Sequence, residues 1–225
     1  NAFKDCCSFT STIIPENVTS IGEGAFSGCS GELIVNCNIK SVSSYYKSPY
    51  YKSKFTNIIV GDNVTSIGDH AFNTSQELVS VTISGSVMSI GSFAFEDCSS
   101  LRSIVFEDGD SLLTLGYNNK HHSSDGIGEG LFYDCPLESV YIGRNLSYEA
   151  DSRYGYSPFY NKEKLNHVII GSEVTTIKEN AFSACYNIPS LTIHSGIVSI
   201  GSDAFSTPDK VIWFTNTPPA GYANA

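Results

Sequence analysis

Ala71-Phe72-Asn73-Thr74-Ser75-Gln76-Glu77-Leu78-Val79-Ser80-Val81-Thr82-Ile83 leads through Ser84-Gly85-Ser86 to Val87-Met88-Ser89-Ile90-Gly91, and the pattern restarts at Ala94-Phe95. The pair also stands at Ala2-Phe3, Ala25-Phe26, Ala181-Phe182 and Ala204-Phe205; the steps from 3 to 26, 72 to 95 and 182 to 205 are all 23 residues. Tyr50, Phe132 and Phe159 fill the same slot after Pro49, Leu131 and Pro158, so the chain has nine aromatic anchors. Other columns move with them. Cys6, Cys29, Cys98, Cys135 and Cys185 stand three residues on, and Phe9, Leu78, Leu101, Leu165 and Ile188 six on. Pairs such as Val81/Ile83, Ile104/Phe106, Val168/Ile170 and Leu191/Ile193 follow, then Val18/Ile21, Val87/Ile90, Val174/Ile177 and Ile197/Ile200. So many columns in register mark an internal repeat.

Leu-x-x-Ile-x-Ile alternates apolar and polar residues, the pattern of a half-buried strand. A unit of this size cannot bury its apolar side alone, whereas stacked units share one core. The expectation is a repeat solenoid, mostly parallel β with short helical turns at Ala-Phe, of about nine coils of ~23 residues. At about 4.8 Å per coil it would span roughly 38 Å. Gly22, Gly68, Gly91 and Gly201 after the last Ile suit a bend that needs positive φ or close backbone approach. Residues 1–210 form the expected solenoid. A C-terminal strand and a cap containing Pro218-Pro219 fill 211–225. The first unit has no Val-x-x-Ile-Gly before it, which suggests a segment of a longer protein.

The full pattern resembles the Bacteroides surface protein A-like (BspA-like) subtype of leucine-rich repeat. Cys6-Cys7-Ser8-Phe9 through Ile14-Pro15-Glu16-Asn17-Val18-Thr19-Ser20-Ile21-Gly22 follows it nearly position by position. The resemblance implies an exported, cell-surface protein, bacterial or from a protozoan parasite. It also implies adhesion to extracellular-matrix proteins or to other cells.

The repeat breaks in three places, near 40–49, 116–126 and 147–157, each between a return segment and the next anchor. Tyr45, Tyr46, Tyr117, Tyr148, Tyr154 and Tyr156 lie in these breaks. Tyrosine there can cap interrupted core or serve as a binding residue. The outward strand face is the other candidate surface. Its middle column reads Ile13, Asn36, Ile59, Thr82, Val105, Tyr141, Ile169 and Thr192, with Ser11, Ile34, Ser80, Ser103, His167, Ser190 and His194 beside it. Repeat proteins bind along such strips, although branched residues also suit any strand. The candidate ligand-binding residues are therefore Ile59, Val105, Tyr141, His167, Ile169, Tyr117, Tyr148, Tyr154 and Tyr156.

Composition narrows the function. Of 225 residues, 13 are Lys or Arg and 23 are Asp or Glu, a net charge of −10. That balance argues against a nucleic-acid partner. No apolar run approaches the roughly 18–20 residues of a transmembrane segment, and Asn1-Ala2-Phe3-Lys4 lacks the start of a signal peptide. Seven cysteines cannot all pair with one another. The column reads as buried free thiols. His121-His122 with Asp125 reads as a solvated loop, not a metal site. No nucleophile elbow, zinc or phosphate-loop motif occurs, and no cofactor is expected. The leading expectation is a non-enzymatic surface binding module for a protein or glycan ligand, including an extracellular-matrix protein. The alternative is a rigid structural spacer or scaffold in a larger surface protein.

Overall fold

The computed structural model describes residues 2–6, 8–116, 130–149 and 157–205, and the backbone of 211–213. The strands are β1 (Ser11–Ile14), β2 (Ser30–Val35), β3 (Lys54–Val60), β4 (Ser66–Ile67), β5 (Ser80–Ile83), β6 (Ser89–Ile90), β7 (Ser103–Phe106), β8 (Leu113–Leu115), β9 (Ser139–Ile142), β10 (Leu146–Ser147), β11 (His167–Ile170), β12 (Thr176–Ile177), β13 (Leu191–Ile193), β14 (Ser199–Ile200) and β15 (Val211–Trp213). The chain is a parallel β-solenoid. Its main sheet runs β1-β2-β3-β5-β7-β9-β11, and the return segments form a second ladder, β10-β8-β6-β4, continued separately by β12-β14.

The anchors share one interior file. Ring centroids are 5.3 Å apart for Phe3–Phe26, 5.7 Å for Phe26–Tyr50, 4.7 Å for Tyr50–Phe72 and 5.4 Å for Phe72–Phe95. The file continues through Phe132, Phe159, Phe182 and Phe205 in steps of 5.5–6.0 Å. Burial of each ring contributes about 1.5–3 kcal/mol, and each stacked pair about 0.5–1.5 kcal/mol more. Val81, Ile83, Ile104, Phe106 and Leu33 close the same core from the main sheet, and Val87, Ile90 and Ile177 from the return side. Phe3 and Phe9, at the open first coil, remain 47% and 41% exposed.

Two details differ from the sequence expectation. The continuous sheet has seven strands, whereas about nine coils were expected; β13 and β15 pair only with each other. Before each strand a backbone N–H bonds back to the preceding coil, as in Glu138 to Arg102 (2.8 Å) and Asn166 to Glu138 (3.1 Å). Pro189 occupies the corresponding slot before β13 and has no N–H to give.

The Ala-Phe segments are turns, and the only helix among the described residues is a 3₁₀ turn at Tyr45–Lys47. The anchor N–H bonds the neighbouring coil instead of its own chain, as in Phe72 to Ala94 O at 2.8 Å. Left-handed residues bracket the anchor: His70 and Thr74, Phe93 and Asp97, Asn180 and Ala184 all have φ of 54–60°. Such residues end a helix before it can propagate.

Of the two expected uses of the glycine after the last Ile, Gly68, Gly91 and Gly201 serve close approach, whereas a Cβ on Gly22 would meet nothing within 4 Å. A Cβ on Gly68 would strike Ser41 backbone, and one on Gly91 would strike Asp69 backbone. Positive φ is used elsewhere, at Gly24 and Gly28, which bracket Phe26.

The cysteine column has a specific role. Each thiol donates to the anchor carbonyl of the preceding coil: Cys29 to Phe3 (2.9 Å), Cys98 to Phe72 (3.3 Å), Cys135 to Phe95 (2.9 Å) and Cys185 to Phe159 (2.9 Å). These cysteines are free. Lys162 fills the slot in its own coil and donates to Phe132 O at 2.5 Å, with burial lowering its ammonium pKa.

Candidate binding surface

The outward side of the main sheet is built by register. Ile13, Ile34, Ile59, Thr82, Val105, Tyr141 and Ile169 are successive partners across the strands. Six steps of about 4.8 Å make a strip roughly 29 Å long. Asn36 does not belong to it, contrary to the constant-spacing expectation. The second coil enters its strand early, with a register shift at Gly31/Glu32, so Ile34 takes the place. Phe55, paired with Gly31, fills the core there.

Of the sequence candidates, Ile59, Val105, Tyr141, His167 and Ile169 lie together on this face. Ile169 and His167 are exposed, and the other three are half-buried. Ser11, Glu32, Asn57, Ser80, Ser103, Ser139 and His167 form the flanking polar column. Within it Asn57 Nδ2 donates to Glu32 (2.8 Å) and Ser80 Oγ donates to Asn57 (2.8 Å). Tyr141 Oη donates to Asp108 Oδ1 at 2.6 Å, and that bond to a carboxylate, with burial, pushes the phenol pKa up to about 12. The hydroxyl is thus held beside Gly171, where a Cβ would lie 2.8 Å from it.

Tyr148 is not on a surface. It is 5% exposed, its hydroxyl donates to Glu179 O at 2.9 Å, and Lys178 lies over its ring at 5.1 Å. The segment that was expected to present it instead tucks it in after β10, where it covers core. Tyr117, Tyr154 and Tyr156 lie outside the described residues, as do His121, His122 and Asp125.

Two features escaped the sequence reading. Arg144 is fully buried and donates to Gly85 O (2.6 Å), Val87 O (2.7 Å) and Ser84 O (2.8 Å), two coils back. The intervening Glu107–Leu112 turn bulges into solvent and leaves room for it. The signal was a shortened return: Ile142 to Leu146 is four residues where Ile83 to Ile90 is seven. The second feature is how the irregular segments are closed. Ser48-Pro49-Tyr50 and Ser157-Pro158-Phe159 are the same device. The buried Ser48 and Ser157 hydroxyls donate to Ala71 O and Ala181 O and accept from Tyr50 and Phe159 N–H. After its return at Ile39, which bridges Ile67, the second coil therefore carries a bulge on a fixed base.

Among the described residues no group of three or more His, Cys, Asp or Glu could hold a metal ion. No helix among them is long and apolar enough to cross a membrane.

A parallel solenoid with one aromatic file and one outward strand face is a leucine-rich repeat architecture. The BspA type leucine rich repeat region matches in six copies over residues 1–119, 43–154 and 110–212, and the chain belongs to that family. Among solved structures it is similar to a leucine-rich repeat protein from Bacteroides ovatus (18% identity, TM-score 0.48), covering 93% of this chain and 56% of that one. It is also similar to one from Eubacterium ventriosum (15% identity, TM-score 0.36), covering 81% of this chain and 68% of that one. A leucine rich cell surface protein from Faecalibacterium prausnitzii is 16% identical with a TM-score of 0.32, covering 96% of this chain and 76% of that one. No curated protein matches the chain.

Proposed function

We propose that the chain is a non-enzymatic recognition module of a cell-surface protein, and that its ligand is a protein laid along the strand face. The strip from Ile13 to Ile169 carries this reading. It is long, in register and free of charged side chains along its middle column. Interface cores are depleted in charge in the same way. Tyr141, fixed by Asp108, supplies an anchor of the kind that dominates binding energy. The net charge of −10 speaks against nucleic acid. Surface placement belongs to the same proposal and follows from what the family resemblance implies.

The test is a binding screen of the chain against immobilised matrix proteins and whole cells, with Thr82→Arg and Val105→Arg beside the wild type. Loss of capture by both variants, with unchanged melting, is the expected outcome. No capture of the wild type would favour the second reading, a rigid spacer, which the unbroken ring file from Phe3 to Phe205 also supports, whereas equal capture by wild type and both variants would put the ligand elsewhere than on the strand face.

A further inference from the structure

Lys40, Lys47, Lys52 and Lys54 fall within residues 33–61, a stretch with no Asp or Glu in a chain whose net charge is −10. The same stretch holds the Tyr45–Lys47 turn, the bulge closed by Ser48. Tyr45 and Tyr46 are 43% and 50% exposed. Their rings meet edge-on at 5.6 Å, and Tyr45 also meets Tyr51 at 5.7 Å. Lys52 Nζ lies 5.2 Å from the centre of the Tyr51 ring, and Lys47 Nζ is steadied by Ser43 Oγ at 3.1 Å. The rings of Tyr45, Tyr46 and half-buried Tyr51 and the Lys52 ammonium thus form one connected patch, with exposed Lys47 in the same turn.

We propose that this bulge is a second binding site, and that its ligand is an acidic saccharide bearing carboxylate or sulfate groups. The site does not depend on the strand-face reading. Exposed tyrosine rings offer flat apolar faces to the C–H face of a sugar ring, with few torsions to freeze. Lysine supplies point charges for the anionic substituents. The base is rigid, so little ordering cost falls on binding. Capture of an acidic peptide by strand addition is blocked, because that mode uses free main-chain groups. Here the N–H groups of Lys47, Ser48 and Tyr51 are already bonded to Ser44, Tyr45 and Ser48 carbonyls at 3.0–3.2 Å. Of the flanking carboxylates, Asp69 accepts from Ser92 N–H at 2.7 Å, and Glu23 lies one coil away. The Lys52 slot has Gly28 and Thr74 as its coil neighbours, and the carboxylate of Asp5, one coil further back, lies over Gly28.

The experiment measures binding of the chain to four probes: heparin oligosaccharide, oligogalacturonate, dextran and polyglutamate. Tyr45→Ala/Tyr46→Ala, Lys47→Glu, Lys52→Asn and the strand-face variant Val105→Arg are run beside the wild type, each checked by thermal melting. Binding to at least one acidic saccharide is expected, with dextran and polyglutamate not retained. Heparin alone would identify sulfate as the recognised group; oligogalacturonate as well would identify carboxylate. The double Tyr variant should weaken binding about tenfold or more, from lost ring contact. The Lys variants should weaken it and reduce its salt dependence, while Val105→Arg leaves it unchanged. No acidic saccharide bound, equal binding of dextran or polyglutamate, or binding indifferent to Tyr45 and Tyr46 would each overturn the proposal. Loss of saccharide binding in Val105→Arg alone would assign the ligand to the strand face instead.

Discussion

The thiol of Cys98 lies 3.3 Å from the carbonyl oxygen of Phe72, one coil earlier. The same carbonyl also receives the turn N–H of Ser75 at 3.2 Å, so the thiol adds a second, weaker donor. Serine is no substitute: the buried hydroxyls of Ser53 and Ser75, in the same column, have no hydrogen-bond partner. The C–O bond is shorter than C–S, and the hydroxyl falls short of the carbonyl. Cys98→Ser is therefore expected to lower unfolding free energy by about 1–2 kcal/mol, mainly through a desolvated hydroxyl. A shift of the urea midpoint at constant slope checks it, and no change would refute the column's role.

Burial pushes the Cys185 thiol pKa up to about 11 from 9.0. Its folded pKa is raised, so the unfolded chain loses this proton first. Stability is fully present below pH 9 and declines as pH rises toward 11, by on the order of 2 kcal/mol. Denaturation curves across that window should show the decline in the wild type. It should be smaller in Cys185→Ala, the difference isolating this thiol from the tyrosines.

Asn145 Oδ1 accepts the N–H groups of Thr175 (2.9 Å) and Thr176 (3.0 Å), and Asn38 does the same for Thr65 (2.7 Å) and Ser66 (3.1 Å). Both asparagines stand where the return segment is short, and the side chain replaces missing ladder carbonyls. Asn145→Ala and Asn38→Ala should each cost about 1–3 kcal/mol by leaving two donors unpaired. Faster amide exchange at Thr175 and Thr176, measured by NMR, is the local signature expected of Asn145→Ala.

Tyr148→Phe tests the reassignment of that residue to the core. Losing the bond to Glu179 O should destabilise by about 1 kcal/mol. Capture of any ligand should be unaltered. Weakened capture without a change in melting would return Tyr148 to the binding surface.

The solenoid was legible because its rule is local and repeated. Phe72, Val81, Ile83, Val87 and Ile90 state it once, and eight further anchors restate the aromatic step. The outward strip followed from period-two alternation, except at Asn36, where Gly31 shortens the approach to the strand. What failed were effects of neighbouring coils on one another. Pro189 breaks the sheet only because the preceding coil would have accepted its missing N–H. Arg144 is internal only because the Glu107–Leu112 turn steps aside. The left-handed residues His70 and Thr74 carry no Gly signal in the sequence, and the anchor N–H that a helical turn would use bonds the next coil instead. For the bulge, the sequence held an overlooked cue in the repeated Ser-Pro-aromatic closure at 48–50 and 157–159.

Arrays whose coils touch only adjacent coils tend to fray from either end, each coil melting nearly on its own account. Arg144 breaks that independence by clasping the Ser84–Val87 turn across an intervening coil. The coils anchored by Phe72, Phe95 and Phe132 are thereby bound into a single cooperative block. A rod assembled this way would yield to force or denaturant in at least two stages, that block surviving longest.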